Sequence, residues 1–78
     1  MSASQLPKAS GRKHVKAFCS IGWIKRRQSA SHIVLSRPGY PVLLSIPDHK
    51  EVAMGTLKQL VRVAGLTDEE YRRIFDAC

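Results

Sequence analysis

Carboxylates are missing from the first 47 residues of this 78-residue chain. Over that stretch Lys8, Arg12, Lys13, Lys16, Lys25, Arg26, Arg27 and Arg37 stand against no Asp or Glu, and all six acids follow Pro47. The net charge of +7 is therefore segregated along the chain. Segregation of that kind suits a polyanion, whether RNA, DNA or the acidic surface of another protein, better than a uniformly solubilising surface. Cysteine is also scarce. Cys19 and Cys78 are too few for a disulfide framework and are expected as free thiols in a reducing cytoplasm. No apolar run is long enough to span a membrane, and MSASQLPKA lacks the apolar core of a secretory signal. There is no Cys-x-x-Cys and no His-x-x-x-His. His14 and Cys19 would point about 140° apart on a helix, so no metal site is expected. Neither a Gly-x-Ser-x-Gly nor a Gly-rich phosphate loop is present, which removes two common enzyme classes and implies no cofactor.

The length allows one domain. A chain this short buries only about 60% of the surface it exposes when unfolded, so a site is expected on a face rather than in a deep cleft. Residues 1–9 read as a flexible N-terminal arm and 10–78 as a single domain. Ser10 is a good N-cap for a helix over Gly11 to Ile21, with Val15, Phe18 and Cys19 as its apolar stripe and Gly22 as a left-handed stop. Trp23 to Gln28 reads as a short strand with Lys25, Arg26 and Arg27 distributed over both faces. His32 to Ser36 alternates, with Ile33 and Leu35 on one face and His32, Val34 and Ser36 on the other. Arg37-Pro38-Gly39-Tyr40 is a turn, and Val42 to Ile46 a third strand. Leu57, Leu60, Val61 and Ala64 give a helix that Gly65 stops. Thr67 and Glu70 form a capping box for a last helix that carries Tyr71, Ile74 and Phe75. The order α-β-β-β-α-α predicts an α+β fold. It is a three-stranded antiparallel meander with helices on one face, and Ile33, Leu35, Val42, Leu44 and Ile46 are turned toward them.

His32 is the residue with chemical promise. It begins a strand on the face opposite Ile33 and Leu35, beside a strand of three cations. RNA can be cut without a metal. A base takes the proton of a ribose 2′-OH, the oxygen attacks the adjacent phosphorus, and cations stabilise the charge that develops. Imidazole titrates near neutrality and can take or give that proton. Lys25, Arg26 and Arg27 are the candidate phosphate ligands, with Arg37 and Lys13 further off. A lone strand histidine is also compatible with an ordinary surface. The same cations would serve a non-catalytic RNA-binding module or a basic surface that docks an acidic protein. His14 reads as surface on a helix flank, and His49 falls in the loop after Pro47.

SGRKHVKAFCSIGW, SHIVLSRPG, IPDH and GTLKQLVRVAGLTDEEY, in that order and spacing, resemble the HicA (YcfA-like) toxins of bacterial toxin–antitoxin pairs. The likeness runs from about Ser10 to Phe75. It implies a double-stranded-RNA-binding-like fold, an mRNA interferase that uses one histidine, and neutralisation by a HicB-like antitoxin. The family's Gly-Ser-His motif falls on Ala30, Ser31 and His32, which makes His32 the implied catalytic residue and Ser31 an RNA-binding neighbour. Alanine at position 30 departs from the motif. If the family glycine serves backbone freedom, Ala30 alters the turn before His32.

Overall fold

The computed structural model describes residues 6–78. Its elements are α1 (Gly11–Cys19), β1 (Ile24–Gln28), β2 (His32–Ser36), β3 (Leu44–Pro47), α2 (Met54–Val63) and α3 (Asp68–Asp76). The strands form one antiparallel sheet in the order β1-β2-β3. This is the expected α+β meander. Alternation along β2 decides its layering. Ile33 and Leu35 are buried, as are their partners Ile46 and Leu44 across the β3 ladder. α1 packs against all three strands and α2 against β3. α3 touches no strand and packs on the other two helices. The capping box of Thr67 and Glu70 starts α3, with both reciprocal bonds formed at 2.9 and 3.1 Å.

The third strand is shorter than expected. Val42 is 39% exposed and lies before β3, not in the core. The register explains this. Leu44 pairs with Leu35, so Val42 would have to pair with Arg37, where β2 has already turned away at Pro38. Pro41 has no N–H to offer a ladder there. The expected arm over 1–9 falls partly outside the described residues. From Leu6 onward the chain is docked: Leu6 and Pro7 are buried, and the Ala9 carbonyl accepts from the Val52 N–H at 2.9 Å.

The first helix also differs. It ends at Cys19 rather than Ile21, because the Ser20 hydroxyl donates to the Ala17 carbonyl at 2.6 Å and the chain turns through Gly22 at φ 108°. Its buried stripe is Gly11, His14, Ala17 and Phe18, while Cys19 is exposed. His14, expected at the surface, is fully buried. The stripe is rotated because α1 has two neighbours, the sheet and α3. His14 faces α3, where its Nδ1 lies 2.6 Å from the Tyr71 hydroxyl and its ring 5.3 Å from Phe75. Burial lowers the His14 imidazole to about 4 and raises the Tyr71 phenol well above its usual range, with the charge at Cys78 adding to the latter. His14 is therefore neutral in the folded protein at neutral pH.

Gly11 sets the distance between α1 and the end of β3. A Cβ there would land on the Pro47 carbonyl, and its N–H donates to the His49 carbonyl at 2.9 Å. Gly11→Ala is therefore expected to lower stability by about 2 kcal/mol, the usual scale of overpacking against backbone. Urea melts at constant slope would show it; an unchanged midpoint would mean that α1 can shift freely. His14 gives a second expectation. Below pH 6.5 the unfolded chain binds a proton that the folded chain refuses until about pH 4. Stability from this group is thus full above 6.5 and falls as pH drops toward 4, by at most about 3 kcal/mol. The urea midpoint measured across that range should decline for the natural chain and decline less for His14→Gln, which carries no titrating ring.

Candidate active site

The face of the sheet away from the helices carries His32, Val34 and Ser36 from β2, and Ser45 from β3. None of the four is fully buried. No helix covers this face among the described residues. β1 supplies its cations through an irregularity. Lys25 pairs with Leu35, Arg27 pairs with Val34, and Arg26 between them has no opposite number. Such a bulge places two consecutive side chains on one side of a sheet. Arg27 follows its partner Val34 to the open face. Arg26 is also there, with its Nε donating to the Ser36 hydroxyl at 2.6 Å. Lys25 follows Leu35 to the helix side.

The turn Ser29-Ala30-Ser31 presents the histidine. The Ser29 N–H and hydroxyl both donate to the His32 carbonyl, at 2.9 and 3.3 Å, and the Ser29 oxygen lies 3.2 Å from the His32 N–H. Ser31 Oγ lies 3.1 Å from His32 Nδ1. The backbone is pinned on the other side too, since the Ser31 carbonyl accepts from the Asp48 N–H at 2.9 Å and Pro47 pairs with His32. The ring itself is exposed. Nδ1 is occupied by Ser31, which leaves Nε2 as the nitrogen that can act on a substrate. Arg27 lies on the cross-strand diagonal from His32, about 7–8 Å between backbones and within reach of an arginine side chain. Arg26 is held toward Ser36, at the other end of β2.

The remaining expected site residues are not gathered here. Arg37 lies past the far end of β2, about 17 Å along the strand from His32. Its guanidinium sits 4.9 Å above the Tyr40 ring. Lys13 is in the helical layer, where it lines a hollow with Lys16, Phe75 and Cys78. His49 is exposed in its loop. Sequence reasoning passed over Ser29, Arg12, Gln28 and Asp48. The carboxylate of Asp48 accepts from Arg12 Nε at 3.3 Å and from Gln28 Nε2 at 3.4 Å, which ties α1, β1 and the end of β3 together beside the histidine turn. An exposed pair of this kind adds little stability and mainly fixes position. Its signal in the sequence was that Asp48 is the first acid in the chain. Among the described residues, no group of three or more His, Cys, Asp or Glu side chains could hold a metal ion.

A one-sided three-stranded sheet, two helices against it, a third behind them and a cationic open face define a small α+β domain of order α-β-β-β-α-α. The family described as the HicA toxin of bacterial toxin–antitoxin pairs matches residues 11–66, from the first residue of α1 to Leu66 beyond α2. The chain belongs to that family, and an antitoxin partner follows from membership. No curated protein matches the chain. No helix among the described residues is long and apolar enough to cross a membrane.

Ala30 departs from the motif without straining the turn. No residue other than glycine has positive φ among the described residues, so Ala30 sits in ordinary backbone. Ala30→Gly should therefore lower thermal stability, by about 0.4–1 kcal/mol through greater freedom of the unfolded chain. A rise in melting temperature would show that the position favours glycine after all.

Proposed function

We propose that this protein is a metal-independent endoribonuclease, an mRNA interferase that stops translation, and that its antitoxin is a HicB-like protein. What carries the proposal is the exposed imidazole of His32, clamped at its backbone and at Nδ1, with Arg27 on the diagonal beside it. In the tautomer that the mechanism needs, Nδ1–H donates to the Ser31 hydroxyl and Nε2 carries the lone pair. Nε2 takes the 2′-OH proton of the ribose. The 2′-oxygen attacks the neighbouring phosphorus while the bond from phosphorus to the 5′-oxygen breaks. The 5′-oxygen leaves with a proton from solvent, which reaches the open face freely. The products are a 2′,3′-cyclic phosphate and a 5′-hydroxyl. Arg27 stabilises the charge on the phosphorane, a task suited to a planar, always-charged guanidinium. Arg26 binds a flanking phosphate. Ser31 acts by orienting the ring.

The open face is an exposed sheet surface with two arginines on it, which suits a polymer better than a small molecule. A partner that silences such a toxin has only to lie across that face, and a HicB-like protein with acidic groups there would meet Arg26 and Arg27.

Incubation of the purified protein with defined RNA, with and without chelator, tests the proposal. Cutting that resists chelator and leaves a cyclic phosphate is expected. His32→Ala should lower the rate by about 100-fold or more, the usual loss of a general base. Expression of the natural chain should arrest growth and the variant should not. Equal toxicity of the two would remove His32 from the mechanism. RNA binding that weakens with salt, without cleavage and indifferent to His32→Ala, would mark a binding module instead.

A further inference from the structure

The basic triplet of β1 is split by the bulge, and its first member is left on the far side of the sheet. There Lys25 lines a cleft of about 300 Å³ together with Arg12, Val15, Gln28 and Ile33. Ile33 forms the buried floor and Val15 a half-buried wall. The mouth is polar. Arg12 is 75% exposed and paired with Asp48, whereas Lys25 has no acid within ion-pair distance among the described residues. Gln28 gives its Nε2 to Asp48 and its Oε1 has no partner there. Two cations and one acid leave the rim positive.

We propose that this cleft is a second nucleotide subsite, for an unpaired nucleotide a few positions along the strand from the one held at His32. The base lies against Val15 and Ile33, its polar edge meets the Gln28 amide, and its phosphate sits between Lys25 and Arg12. The inference rests on the RNA reading of the open face and extends it around the sheet edge. Three features argue for a nucleotide rather than a bare anion. An anion needs only the two cations, whereas apolar walls suit the flat faces of a base. A side-chain amide offers both a donor and an acceptor, the means of reading a base edge. The position is also right. Ile33 adjoins His32 on the central strand β2 and points to the opposite face, so cleft and imidazole stand back to back across the sheet, with β1 as the edge strand beside both. All five residues of β1 are exposed, so a single strand can pass over it. A duplex is too stiff to make that turn, and the subsite therefore selects single-stranded RNA.

Titration of isotope-labelled protein with 2′-O-methyl RNA pentamers tests this, because the blocked hydroxyl prevents cleavage. Arg12 and Val15 are the reporters, since α1 is remote in sequence from His32. Their amide resonances should move with those of Lys25 and Gln28, on the same binding curve as His32 and Val34. Lys25→Gln should weaken pentamer binding about fivefold through loss of one phosphate contact. Gln28→Leu should change the order of preference among pentamers that differ in one base. Shifts confined to the open face would overturn the subsite and leave the nuclease reading standing. Shifts confined to the cleft would keep the subsite and remove the RNA path across His32. Pentamer binding with unchanged affinity in Lys25→Gln and unchanged preference in Gln28→Leu would overturn the subsite, as would the absence of any shift.

Discussion

Alternation along β2 is the constraint on which the rest of the molecule depends. Ile33 and Leu35 close the core from one side, with Ile46 and Leu44 beside them. The intervening residues must then face outward. Among the described residues the helices cover one face of the three-stranded sheet and leave the other open. His32 is in water because its neighbour is in the core. A slip of one residue in the ladder would exchange the two sets and bury the imidazole.

Outward placement alone does not make a site, and the bulge in β1 supplies what is missing. A regular strand would send Arg26 and Arg27 to opposite faces. The extra residue lets both arginines meet the face of His32 while Lys25 turns back toward α1. Positive charge thus wraps the sheet edge instead of covering one plane. The turn before His32 completes the arrangement through hydroxyls. Ser29 holds the backbone and Ser31 the ring, so the position of the imidazole is fixed by short side chains bonded locally.

Much of this could be read from the residues. The order of elements, the capping box, the left-handed Gly22 and Gly65, and the burial of Ile33, Leu35, Leu44 and Ile46 all follow from periodicity and turn chemistry. These are local signals. What escaped was set by contacts between distant segments. His14 looks like a polar flank residue until Tyr71, 57 positions later, is known to lie against it. Val42 continues an apolar alternation, but the length of β2 decides where its partner strand can start. Leu6 belongs to no periodic element and still enters the core. The bulge was hidden too, since three consecutive cations give no hint of where a ladder skips. The resemblance singled out His32 and Ser31. It was silent on Ser29, Arg12 and Gln28, whose roles come from the turn and the sheet edge.

α3 has a bearing on how far such a chain can be shortened. It lies beyond the matched family region and contributes nothing to the open face. It nevertheless covers the Phe18 ring with Tyr71 at 4.9 Å and closes over His14. A polypeptide that stopped at Leu66 would keep every group argued to meet RNA and lose the lid on its own aromatic interior. The last helix thus carries none of the groups of the candidate site and yet covers part of the core, so the unit that folds is longer than the segment that bears that site.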